Sequence, residues 1–279
     1  MTSTNTSPSG LRVAITGAGR GIGLATARAF HRQGATVIIG DLDLDVATEA
    51  AASIGPDVVA VALDVADHAS FAAFLAAATA DGPLDVLVNN AGIMPIGHFL
   101  DLSPETHRKA VEVNVVGCLN GMHLALPDML ARGRGHIVNV ASTAGKTPVP
   151  GGLSYCGTKA AVIALTETAR VEYAGSGVEF TCVMPHFTNT ELIAGTTSTR
   201  LMPVVEPDDV AAAIVDAVRD PQPDVFVPKL IGPMLGTMPL LGRTLRDFLS
   251  RKLGAYDSFL DIDQSARAGY NRRIDGDPS

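Results

Sequence analysis

The sequence is short of several features that would mark other kinds of protein. Of its 279 residues only three are cysteine, Cys118, Cys156 and Cys182. They are scattered, odd in number and without the paired spacing of zinc ligands. Neither a disulfide framework nor a metal site is expected, and a reducing cytoplasm is the expected setting. No apolar run is long enough to cross a bilayer. Met1 to Gly10 is polar and rich in Ser and Thr, which is not how a secretory signal reads. Positive charge is also in deficit: 21 Lys and Arg against 29 Asp and Glu leave a formal charge of -8. Such a surface repels polyanions, so nucleic acid is not an expected partner. Charged residues amount to 18% and hydrophobic residues to 47%, which excludes general disorder and supplies ample core. No internal repeat recurs.

What is present is an alternation of short apolar runs with amphipathic stretches. Leu11–Thr16, Thr36–Gly40, Val58–Leu63, Leu84–Asn89, His136–Ser142 and Val178–Met184 read as strands. Gly21–Gln33, Asp45–Ser53, Ala66–Ala80, Pro104–Leu130 and Ser154–Tyr173 read as helices. Runs such as Val37-Ile38-Ile39 and Val86-Leu87-Val88 do not alternate polar with apolar, so both faces of those strands are buried. The pattern predicts an α/β, Rossmann-like, doubly wound parallel sheet of about seven strands, with ligands at the strands' carboxyl ends. Beyond Pro185, Phe187–Pro203 is irregular, Pro207–Arg219 is a helix with acids at its positive end, and Asp224–Val227 is a seventh strand. The expected organisation is a tail over 1–10, one nucleotide-binding and catalytic domain over 11–228, and an extension over 229–279. That extension ends in polar residues, from about Asp261, that are expected to be loosely held.

The connection after the first strand is Thr16-Gly17-Ala18-Gly19-Arg20-Gly21-Ile22-Gly23. Between a strand and a helix, such a run suits a pyrophosphate, because bare backbone approaches closely and amides at the helix start face the anion. Gly17 permits the tight turn, Gly21 the approach, and Gly23 the packing of helix on strand. The bland alternative is an ordinary glycine-rich connection. Asp41 ends the second strand, eighteen positions after Gly23. A carboxylate there accepts hydrogen bonds from ribose hydroxyls and repels an added phosphate, favouring NAD over NADP. Arg20 pulls the other way, since a guanidinium in the turn can pair with a 2′-phosphate. Asp64 and Val65 follow the third strand and either border the adenine or cap the next helix.

Tyr155 and Lys159 stand at i and i+4 of an expected helix, thirteen residues after Ser142 at a strand's end. A free phenol has a pKa of about 10 and a free lysine about 10.4. A neighbouring ammonium and a positively charged cofactor ring are expected to bring the phenol down toward working pH, so that Tyr155 exchanges a proton with an alcohol or carbonyl. Lys159 reaches the nicotinamide ribose as well, and Ser142 orients the reacting oxygen. Alone, Tyr-x-x-x-Lys is a common surface pair; Ser142 and the glycine turn in the same sheet give it weight.

With these residues the chain resembles the classical short-chain dehydrogenase/reductase family. The resemblance rests on Thr16 to Gly23, Asn89-Asn90-Ala91-Gly92, Asn114, Ser142 and Tyr155-Cys156-Gly157-Thr158-Lys159, and runs over residues 10–228. It implies that Asn114 holds a water linked to Lys159, completing an Asn-Ser-Tyr-Lys tetrad. It also implies that Ile22, Asn90, Ala91 and Gly92 line the cofactor, and that Pro185, Thr188 and Thr190 hold the nicotinamide carboxamide. The family forms dimers and tetramers through the tyrosine-bearing helix, where Ala160, Val162, Ile163 and Ala164 offer an apolar contact. One departure stands out: His186 takes the place of the family's usual glycine, and either strains a backbone made for positive φ or faces the substrate.

The segments Ile93–Phe99, Thr143–Leu153 and Phe187–Pro203 follow strand ends and carry few charges. Met94, Val149, Leu153, Phe187 and Leu192, with Ser142, are the expected substrate contacts. Together they predict a small hydrophobic alcohol or ketone of sterol, retinoid or terpenoid kind. Lys229–Lys252 is expected to cover the pocket or a neighbouring subunit. Its basic end, Arg243, Arg246, Arg251 and Lys252, allows peripheral membrane contact, which Gly and Pro interruptions and the acidic chain disfavour. The leading expectation is an NAD-dependent alcohol dehydrogenase or ketone reductase. A thioester reductase using NADPH and a silent nucleotide sensor are the alternatives.

Overall fold

Apolar runs covered on both faces settle into adjacent parallel strands, because the helical crossovers between them cover those faces. The computed structural model describes residues 7–196, 204–237, 241–252 and 259–275. Its strands are β1 (Arg12–Thr16), β2 (Thr36–Asp41), β3 (Val59–Ala62), β4 (Val86–Asn89), β5 (Gly135–Val140), β6 (Val178–Pro185) and β7 (Asp224–Val227). They make one sheet in the order β3-β2-β1-β4-β5-β6-β7, and every pairing is parallel. The chain winds outward from β1 to β3, then returns to the other side of β1 with β4. This reversal opens a crevice at the carboxyl ends of β1 and β4.

The helices are α1 (Gly21–Arg32), α2 (Leu44–Ile54), α3 (His68–Ala78), α4 (Pro104–Val111), α5 (Gly117–Arg132), α6 (Leu153–Glu172), α7 (Pro207–Arg219), α8 (Ile231–Thr237), α9 (Arg243–Lys252) and α10 (Gln264–Asp275). The strands' period of two divides the core. Val13, Ile15, Val37, Ile39, Val86 and Val88 pack with Phe30 of α1 and Ile214 of α7. Their neighbours Ala14, Ile38 and Leu87 pack with Phe71 and Phe74 of α3, Met122 of α5 and Val162 of α6. Local chemistry sets the helix starts: Asp43 accepts from the amides of Asp45 and Val46, Asp67 from Ser70, and Ser103 from Thr106 just after Pro104 is placed.

The long helical region Pro104–Leu130 is present, with a π-helical turn, Glu112–Val116, between α4 and α5 that carries Asn114. Two expectations need correction. Val162 faces its own sheet at 2% exposure and so is no part of an intersubunit face, whereas Ala160 and Ala164 are exposed. Residues 262–274 are held: α10 buries Arg267, Tyr270 and Ile274, and Phe259 ahead of it is 3% exposed. Composition suggested looseness, but Arg267 donates to the carbonyls of Leu192, Ala194 and Met94, so a polar helix is fastened by its polar groups. Residues 1–6, 197–203, Met238 and Leu240, and the side chains of Arg246, Leu249, Arg251 and Lys252, lie outside the described residues. Among the described residues no helix is long and apolar enough to cross a membrane.

Candidate active site

A cavity of about 1830 Å³ occupies the crevice above β1, β4, β5 and β6. It exceeds the roughly 300–1,000 Å³ of a pocket for one small ligand. The glycine turn, Asp41, Asp64 and Val65 lie at one end, and Met94, Val149, Phe187, Leu192 and Phe259 wall the other.

At the first end the turn is shaped by close contact. Gly17 has φ +62, and a Cβ there would lie 2.7 Å from the Cα of Ala91. Gly23 packs so tightly that a Cβ would lie 2.4 Å from the Gly17 carbonyl oxygen. Asn90 braces the turn from β4, its Nδ2 donating to the carbonyls of Thr16 (2.8 Å) and Gly17 (3.0 Å). The Asp41 carboxylate accepts the Gly19 amide at 2.9 Å, which brings it against the turn. Unlike α2, α3 and α4, α1 starts with no side-chain cap and no acid in its first turn. Its amides, with those of Arg20, Gly21 and Ile22 beside the cavity, therefore fit an anion. Arg20 is paired with Glu191 at 3.3 Å, and Arg273 of α10 pairs with the same carboxylate. Asp64 lines the cavity and accepts the Ala66 amide at 2.9 Å in the turn ahead of α3, whose cap is Asp67.

At the other end Ser142 stands two residues beyond β5, and Tyr155 and Lys159 project from α6. All three are buried. Lys159 Nζ donates to the Val140 carbonyl at 2.8 Å and lies 5.8 Å from the centre of the Tyr155 ring. Asn114 does not line the large cavity. Its amide is locked by the Ile93 N–H (2.8 Å), the Ile93 carbonyl (2.9 Å) and Thr158 Oγ1 (3.0 Å). It still stands beside Lys159, since a Cβ at Gly92 would lie 3.1 Å from Asn114 Oδ1 and 3.3 Å from Lys159 Nζ.

Burial dominates the protonation of this group. It pulls the Lys159 ammonium down to about 8. It pushes the Tyr155 phenol above its ordinary value, and the hydrogen bond from Ser142 only partly opposes this. The expected lowering of Tyr155 by its lysine neighbour is thus not produced by the protein alone. The ammonium donates to the Val140 carbonyl, and burial is the largest influence on the phenol.

The sequence-predicted substrate residues divide. Met94, Val149, Phe187 and Leu192 line the cavity, whereas Leu153 is 61% exposed at the start of α6 and does not. Its helical phase points it away from Tyr155, two residues on. Pro185, Thr188 and Thr190 all border the cavity. The Thr188 and Thr190 hydroxyls donate to the carbonyls of His186 (3.0 Å) and Thr188 (3.3 Å). His186 causes no backbone strain, because no described non-glycine residue has positive φ. Its Nδ1 meets Thr143 Oγ1 at 3.1 Å, while Nε2 is buried without a partner, and burial lowers its pKa. Sequence reasoning missed Thr147, Phe259, Tyr270, Arg273 and Ile274, which also line the cavity. The one available signal was the spacing of Tyr270 and Ile274 at i and i+4 in an otherwise polar segment.

Comparisons with known proteins agree with this geometry. The 2,5-dichloro-2,5-cyclohexadiene-1,4-diol dehydrogenase LinX of Sphingobium indicum is 39% identical over 184 residues, 64% of this chain and 74% of that protein. The glycine betaine reductase ATRR of Emericella nidulans is 35% identical over 227 residues, 77% of this chain but 18% of that much longer protein. Among solved structures, a short chain dehydrogenase/reductase from Burkholderia phymatum in complex with NAD superposes with a TM-score of 0.77 at 26% identity, covering 84% of this chain and 95% of that one. A 3-ketoacyl-(acyl-carrier-protein) reductase from Brucella melitensis complexed with NADH gives 0.72 at 30%, covering 79% and 98%. The model of the short chain dehydrogenase family matches residues 12–201, and with the shared sheet order and the buried Ser142, Tyr155 and Lys159 this establishes that the chain belongs to that family of oxidoreductases acting on CH–OH groups.

Proposed function

We propose that the protein interconverts a hydrophobic secondary alcohol and its ketone with NAD(H). The observation that carries this is one continuous cavity with a bare helix start and Asp41 at one end and Tyr155 with Ser142 at the other. The turn amides would hold the pyrophosphate, Asp41 the adenosine ribose, and Lys159 the second ribose. A nicotinamide supplies the hydride acceptor or donor and, when oxidised, a positive charge. Ser142 hydrogen-bonds the reacting oxygen, and Tyr155 takes or gives its proton. Because burial keeps Tyr155 protonated, it is set as an acid for ketone reduction; in oxidation it becomes a base only beside an added positive charge. NAD is favoured over NADP because Asp41 stands at the turn while Arg20 is already engaged by Glu191. The apolar wall of Met94, Val149, Phe187, Leu192, Ile193 and Phe259 supports an apolar skeleton of sterol, retinoid or terpenoid size. The similarity to a 3-ketoacyl reductase supports a second reading, reduction of an acyl thioester, against which the enclosing α10 weighs. Exposed Ala160 and Ala164 on α6 suit self-association as a homodimer or homotetramer.

The test is a panel of apolar cyclic alcohols and ketones, short hydroxy acids and acyl thioesters, each with NAD(H) and NADP(H). Best turnover on apolar alcohols with NAD is expected. Preference for a thioester with NADPH would overturn the reading.

A further inference from the structure

The strongest unassigned feature of the cavity is a second buried phenol. Tyr270 of α10 is 7% exposed and lines the same space as Tyr155. Its oxygen accepts the Met94 amide at 2.7 Å. A phenol also carries a proton to donate, and among the described residues no acceptor receives it. Buried donors in folded proteins are nearly always satisfied, so a group of this kind facing a ligand cavity points to an acceptor on the ligand. The ring is held firmly, with the Arg267 guanidinium 4.6 Å from its centre and that of Arg273 6.0 Å away. Burial raises the Tyr270 pKa, the two cations opposing this only in part, so the hydroxyl keeps its proton available to donate. The two phenols are near enough that a charge on Tyr270 would tighten the hold of Tyr155 on its own proton.

We infer that Tyr270 is a specificity-determining residue whose hydroxyl donates a hydrogen bond to a second oxygen of the substrate. The preferred ligand is then an apolar skeleton bearing two oxygens, a diol, a hydroxyketone or a diketone. One oxygen lies at Ser142 and Tyr155, where hydride transfer takes place, and the other at Tyr270, where no bond is made or broken. This deepens the proposed dehydrogenase reading and rests on it for the identity of the reacting oxygen.

The test uses the full chain, with and without NADH, and isothermal calorimetry with 2-decalol against decalin diols and ketols carrying the second oxygen at each other ring carbon. One net hydrogen bond corresponds to a factor of about five to ten in affinity. At least one doubly oxygenated member is expected to bind about fivefold or more tighter than 2-decalol. Tyr270→Phe should remove that margin while 2-decalol binding stays within about twofold. If no member surpasses 2-decalol on the unmodified protein, the inference fails without any variant. If Tyr270→Phe weakens both ligand classes alike, the residue is merely structural and the inference also fails. Turnover of the same compounds separates the two readings. A margin lost in Tyr270→Phe with no hydride transfer to any member keeps the anchor and sinks the dehydrogenase; turnover with no margin sinks the anchor alone.

Discussion

The two ends of the cavity are built by different means. The glycine-turn end comes from one short run, Thr16 to Gly23, with Asn90 and Asp41 brought in by the neighbouring strands β4 and β2. The apolar end gathers Met94, Ser142, Tyr155, Phe187, Phe259 and Tyr270 from separated segments, and α10 ties Met94 to the Leu192 segment. A site set by backbone geometry needs particular residues at particular spacings. A site set by packing needs only side chains that reach, so its residues are free to come from anywhere in the chain.

That contrast is testable. The largest effect is expected at the chemistry both ends serve: Tyr155→Phe should lower kcat by about 10³-fold and leave the NADH dissociation constant within about twofold. Stopped-flow hydride transfer with parallel NADH titration checks this, and a variant as fast as the parent removes the proposed proton exchange.

The scaffold itself should respond to acid independently of either end. His136 in β5 is buried, with Nε2 2.8 Å from Thr181 Oγ1, and burial holds its pKa at about 4 against an ordinary 6.5. The unfolded chain therefore binds the extra proton first. Stability is full above pH 6.5 and falls as pH drops toward 4, by about 3 kcal/mol at the low end. Urea midpoints at pH 7 and 4.5 should show the loss, and His136→Gln should flatten it.

Breaking the tie at the substrate end should cost less. Arg267→Met leaves the carbonyls of Met94, Leu192 and Ala194 without their donor. The expectation is about 2 kcal/mol of stability and a several-fold higher substrate KM, with NADH affinity little changed. Equal loss at both ends would erase the distinction between them. The smallest effect sharpens the other end: Asp41→Ala should shift the NAD over NADP ratio of kcat/KM about tenfold toward NADP, read from initial rates with each cofactor.

Much of the fold was legible because its signals are local. Seven apolar runs became seven parallel strands, with boundaries displaced by a residue or two. The turn, Ser142, Tyr155 and Lys159 were legible because the roles suggested for them demand residue type and spacing together. Leu153 was misplaced because proximity in sequence ignores helical phase. Asn114 was found, but its π-helical turn was not, since a single wider turn leaves no mark in a periodicity of 3.6. Tyr270 was missed because its one pattern, the i, i+4 pair with Ile274, is too short to stand out in a polar helix.

By itself the sequence determined the layered parallel sheet and the glycine turn, since alternation of apolar runs and glycine spacing act over a few residues at a time. The family assignment follows from the same local motifs. Only the tertiary structure decided the protonation of Tyr155, the closing of the cavity by α10 and the second phenol at Met94. Burial and hydrogen-bond partners across more than a hundred residues of separation are properties of the folded chain. No local stretch of residues encodes how deeply a phenol will be withdrawn from water.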